Sequence, residues 1–139
     1  MIPKKLLTSI PLSIRTIRRL TAECLDGSIT LQQFRVLRLV EEGMGQTEMA
    51  DTLQVTMAAI SKMINALVEK KLVTRSQGKD RRCLTLKLTA QGKKILKLVT
   101  DHVARRLEIG LKRLDTKEKG DLLKGLEILE RYMQFMKEV

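Results

Sequence analysis

The chain has 139 residues, room for one domain of ordinary size and too few for two. Hydrophobic residues make up 43% and aromatics only 2%, so the core must be aliphatic; 27 Lys and Arg against 16 Asp and Glu leave an excess of +11, which calls for a polyanionic partner, nucleic acid or an anionic membrane. Two cysteines and one histidine exclude a disulfide scaffold and any zinc site built without carboxylates.

No apolar run approaches membrane-spanning length, and Met1–Leu7 leads to Arg15, Arg18 and Arg19 without an apolar signal region, so a cytoplasmic protein is the expectation. The positive charge is uneven. Residues 54–89 hold eight basic and two acidic side chains, whereas residues 31–53 hold two basic and four acidic. A phosphate backbone belongs against the first of these segments.

A first helix is expected over residues 5–25, with Leu6, Ile10, Ile14, Ile17 and Leu20 as its apolar stripe and Pro11 as either a kink or its true start. Asp26-Gly27-Ser28 reads as a turn. Thr30 and Gln33 form a capping-box signature opening a second helix, lined by Leu31, Phe34, Leu37 and Val40 and ending near Gly43. A short third helix over 46–53 turns Met49, Ala50 and Leu53 inward. After Gln54 and Val55, Thr56 is a suitable N-cap for a fourth helix running to about Lys71. At 100° per residue Ile60, Met63, Ile64 and Leu67 share one face, and Ala58, Ser61, Lys62, Asn65 and Glu69 the other. A short helix, a tight turn and an amphipathic helix with small polar residues outward form the helix-turn-helix pattern; small residues permit close approach to base edges, and Ser, Asn and Lys supply hydrogen bonds there.

Residues 72–76 and 83–88 are β-biased and flank Gln77-Gly-Lys-Asp-Arg-Arg82, a basic hairpin tip in the position of a wing. Thr89-Ala-Gln-Gly92 opens a helix over about 90–112, and a break at Leu114-Asp115-Thr116 precedes a last helix. In that last helix Leu122, Leu126, Leu129, Met133 and Met136 form a seam at alternating four- and three-residue steps. Two long amphipathic helices offer more apolar face than one small winged domain covers, so a second copy of the chain is the expected partner and this seam its dimerisation surface.

These residues resemble the MarR-type winged helix-turn-helix transcription regulators. The likeness runs from Ile29 to Lys94 and is carried by Ile29-Thr-Leu-Gln-Gln-Phe34, Gln46–Leu53, Val55–Lys62 with Leu67–Lys70, and above all by Asp80-Arg-Arg82 followed by Leu88-Thr89 and Gly92. The resemblance implies a mainly helical α+β fold: one domain, with residues 1–28 and 90–139 as a helical dimerisation region and 29–89 as the winged helix-turn-helix. It also implies a homodimer on a pseudo-palindromic double-stranded DNA operator, a repressor released by a small-molecule effector of unspecified identity. By position, Thr56, Ala58, Ala59, Ser61, Lys62 and Asn65 match the recognition face, and Lys79, Asp80, Arg81 and Arg82 match the wing. Asp80 would orient an arginine, with Arg82 its partner and Arg81 at the tip, or the reverse. Where many relatives carry Gly, this chain has Lys71, which a left-handed backbone would accommodate at modest cost. The arginines of the first helix, Arg15, Arg18 or Arg19, are candidates to hold an effector carboxylate.

No phosphate loop, HExxH or GxSxG occurs, and His102 has no nucleophile at readable spacing, so no enzymatic activity, metal or cofactor is expected. The rival reading is a membrane-surface module using Lys93, Lys94 and Lys97 with Ile95, Leu96 and Val99, or a protein-interaction module without specific DNA binding. The wing separates these readings, since a membrane helix has no use for one.

Overall fold

A computed structural model describes residues 1–77 and 84–139. Among them are helices α1 (Ile2–Cys24), α2 (Leu31–Glu41), α3 (Gln46–Leu53) and α4 (Met57–Glu69), strands β1 (Val73–Gln77) and β2 (Leu84–Leu88), and helices α5 (Ala90–Leu111) and α6 (Thr116–Met136). The strands pair antiparallel, Val73 opposite Leu88 and Gln77 opposite Leu84. The expected mainly helical winged helix-turn-helix is the observed fold.

The chain divides into two compact units, Met1–Val103 and Ala104–Val139. In the first, the core is aliphatic apart from Phe34: Val36, Leu37 and Val40 from α2, Met49 and Ala50 from α3, Ile60, Ile64 and Leu67 from α4, Leu72 and Val73 at the hairpin, and Leu96, Val99 and Val103 from α5. Helices α2, α3 and α4 end for local reasons. Thr30 and Gln33 cap α2 reciprocally, with Gln33 N–H donating to Thr30 Oγ1 at 3.0 Å and Thr30 N–H to Gln33 Oε1 at 3.1 Å. The ends of α2, α3 and α4 are each closed by a left-handed residue, Gly43 (φ 82°), Gln54 (φ 54°) and Lys71 (φ 61°). In each, the paired 5→2 and 6→1 bonds of a Schellman motif satisfy the last carbonyls; at α4, Lys71 N–H donates to Val68 O and Leu72 N–H to Leu67 O, both at 3.0 Å.

The junction between hairpin and α5 explains the Leu-Thr…Gly spacing. Thr89 N–H donates to Leu72 O at 3.0 Å, its hydroxyl donates to Lys71 O at 2.7 Å, and the same hydroxyl accepts from Gly92 N–H at 3.0 Å. This locks the start of α5 onto the turn that follows α4. A Cβ on Gly92 would stand 2.2 Å from the Leu72 carbonyl oxygen, so only glycine fits.

One expectation needs correction. Pro11 does not start α1; the helix begins at Ile2, and Pro11 lies within it without the N–H that would reach back one turn. Along the apolar stripe of α1, Leu20 is buried, Leu6 and Ile10 are half-buried, and Ile14 and Ile17 are each 42% exposed.

The second unit holds the end of α5 and all of α6. Asp115 and Glu118 form a capping box, with Glu118 N–H donating to Asp115 Oδ1 at 2.7 Å and Asp115 N–H to Glu118 Oε1 at 3.1 Å. No residue of α6 is buried.

Candidate nucleic-acid interface

The turn between α3 and α4 takes its shape from two residues. Gln54 adopts the left-handed conformation that reverses the chain, and Thr56 caps α4, its Oγ1 accepting from Ala59 N–H at 3.1 Å. The rotation of α4 is then set by burial: Ile60, Ile64 and Leu67 are fully enclosed. The opposite face carries Thr56, Ala58, Lys62 and Asn65, all exposed, with Ala59 and Ser61 half-buried beside them. The recognition-face residues expected from sequence therefore lie on one outward surface, small side chains together with an ammonium, a carboxamide and two hydroxyls. Lys79, Asp80, Arg81 and Arg82 lie outside the described residues.

Two contacts hold this face that sequence reasoning did not identify. The Arg75 guanidinium, from β1, donates to Asn65 Oδ1. Strand alternation offered a signal: Val73 is buried, and Arg75, two residues on, shares its side of the strand. At the end of α4, Lys70 Nζ donates to Ser28 O at 2.6 Å and to Gln33 Oε1 at 2.9 Å. That lysine ties the last turn of α4 to the capping box of α2, and no local pattern announces so distant a partner.

A cleft of about 240 Å³ opens among α1, α2 and α3. Ile14, Ile17, Leu31 and Phe34 line it, and Arg18, Arg35 and Arg38 bring positive charge to it with no acidic side chain in its walls. Burial, and then the nearby charge of Arg18, pushes the Arg35 guanidinium below its usual range. Arg38 stacks over Phe34, 5.7 Å from the ring centre. Of the α1 arginines named as candidates, Arg18 lines this cleft, Arg15 does not, and Arg19 is paired with Glu23 at 3.0 Å.

The amphipathic stretch of α5 is already used. Leu96 and Val99 are in the core and Ile95 packs against it, so the three apolar residues expected to accompany Lys93, Lys94 and Lys97 are taken up by the protein's own interior. Among the described residues no helix is long and apolar enough to cross a membrane.

Comparison with known proteins places this geometry. The model of the MarR family matches residues 29–84. The chain is 31% identical over 120 residues to the uncharacterized HTH-type transcriptional regulator YpoP of Bacillus subtilis (strain 168), covering 84% of this chain and 83% of that protein. Among solved structures it is similar to wild-type MarR from E. coli in its apo form, at 28% identity and a TM-score of 0.75 over 89% of this chain and 95% of that one. It shares a fold with Streptococcus pneumoniae FabT, solved in complex with DNA, at 20% identity and a TM-score of 0.69 over 96% of each chain.

Proposed function

Because the chain belongs to the MarR family of transcription regulators, we propose that it is a homodimeric repressor that binds a pseudo-palindromic operator in double-stranded DNA. The observation that carries this reading is the division of α4. One side is sealed into the core by Ile60, Ile64 and Leu67, and the other presents Thr56, Ala58, Lys62 and Asn65 to solvent. A helix held this way enters a major groove with donors and small side chains foremost. The hairpin tip, Lys79 to Arg82, takes the adjacent minor groove in this reading, on the strength of the family resemblance. FabT, which has the same fold, was solved in complex with DNA, and that supports DNA as the partner.

The dimer is formed by a surface that a lone chain leaves bare. Leu122, Leu126, Met133 and Met136 of α6 are 40–48% exposed, and Leu129 is half-buried. Exposed Ile14 and Ile17 of α1 add to the apolar area available to a second copy. The protein acts in the cytoplasm, where its DNA is.

The effector is a small amphipathic anion seated in the arginine-lined cleft, whose positive charge is unbalanced by any acid in its walls. Benzoate serves as a probe, expected to raise the melting temperature of the protein and to lose that effect in Arg35→Met.

Specific binding is tested by selecting duplexes from a random pool, beside a liposome pull-down. Enrichment of an inverted repeat with half-site centres about one helical turn apart is expected. Capture by anionic liposomes with no enriched sequence would support the membrane-surface reading instead.

A further inference from the structure

The guanidinium of Arg75 sits on the carbonyl oxygen of Asn65, at the edge of the outward face of α4. An arginine has five N–H donors and no acceptor, so the Asn65 atom it meets is the oxygen, and the amide nitrogen is the atom left to face outward. An asparagine reading adenine in the major groove uses both atoms, the oxygen accepting from N6–H2 and the nitrogen donating to N7. With a cation already on the oxygen, the approach of a second donor is electrostatically disfavoured. What remains is an outward amide donor, with further guanidinium N–H groups beside it. That arrangement matches an edge made of acceptors: guanine N7 and O6, or thymine O4.

Resting on the reading of α4 as the groove-facing helix, we propose that Arg75 is a positioning residue that sets the base preference of Asn65, directing it to guanine or thymine and away from adenine. Arg75 lies ten residues beyond Asn65 and in a different element, so the preference is written in the packing of β1 against α4 as well as in α4 itself.

The test is selection from a random duplex pool with the full-length protein and with Asn65→Ala, Arg75→Ala and Arg75→Lys. The half-site position whose preference disappears in Asn65→Ala marks the base under Asn65. The expected result there is guanine or thymine for the unaltered protein, favoured over adenine by about five- to hundredfold. Arg75→Ala is expected to move the preference to adenine, and Arg75→Lys, which keeps a donor on the oxygen, to restore the original base. A merely structural Arg75 would weaken binding to all sequences alike and leave the preferred base unchanged, and that result overturns the proposal. So does adenine or cytosine under Asn65 in the unaltered protein, or an Asn65→Ala protein whose site preference is intact; in each of these cases DNA reading by α4 still stands. If the unaltered protein enriches no sequence, the reading of α4 fails and the proposal fails with it.

Discussion

Lys71 and Gly92 hold the hairpin at its angle to α4 by opposite means. Lys71 adopts a left-handed conformation that costs a side-chain-bearing residue about 1–2 kcal/mol. Glycine removes that strain but gives back part of the gain as chain entropy, so Lys71→Gly is expected to stabilise the protein by about 0.5–1 kcal/mol. Chemical denaturation measures it, and an unchanged midpoint would mean that the Schellman turn stores no strain. Gly92 is the reverse case. The Cβ of Gly92→Ala would meet the Leu72 carbonyl oxygen at 2.2 Å, and relief requires parting α5 from the turn that Thr89 fastens. A loss of about 2–3 kcal/mol is expected in the same assay, together with weaker DNA binding because the hairpin is displaced. The Gly92 spacing is visible in the sequence, but its cause is a backbone contact twenty residues away.

At the scale of elements, what was legible in the sequence is what depends on neighbours three or four residues apart. The Thr30–Gln33 box, the Thr56 cap and the burial of Ile60, Ile64 and Leu67 all follow from local spacing and from the 3.6-residue period. The turn residues Gln54 and Lys71 are not glycines, so composition does not mark Gln54 as left-handed, and at Lys71 only the family comparison raised the question. Lys70 reaches partners 37 and 42 residues away, a separation that no periodicity encodes. The period along α1 marks Ile14 and Ile17 as apolar, but spacing does not tell which molecule covers a face, and both are exposed in the single chain. In α6 the heptad-like seam is exposed at Leu122, Leu126, Met133 and Met136 and half-buried at Leu129. In the proposed dimer this seam is covered by the partner, so Leu126→Glu together with Leu129→Glu is expected to yield monomeric or unfolded protein in sedimentation velocity. An unaltered chain that sediments as a folded monomer at micromolar concentration would remove the dimer from the account.

For the molecule as a whole, charge distribution and symmetry decide how it meets DNA. The basic segment 54–89 contains α4 and the hairpin, so the positive excess is concentrated where the proposed interface lies. In the proposed dimer two such interfaces are expected to make about 6–10 phosphate contacts, for which the slope of log K against log salt is about −5 to −9. A slope near zero in fluorescence anisotropy would place the contact elsewhere. Salt dependence by itself reports phosphates rather than sequence, and the central claim is that α4 reads sequence. Its most direct measurement is the ratio of affinities for the selected duplex and a scrambled duplex of equal length, at one salt concentration, for the unaltered protein and for Lys62→Ala combined with Asn65→Ala. The account predicts a ratio of about a thousandfold or more for the unaltered protein. It predicts a fall of about a hundredfold in the double variant, with much less loss on the scrambled duplex. A ratio near one for the unaltered protein, or a ratio that survives the double substitution, would contradict it.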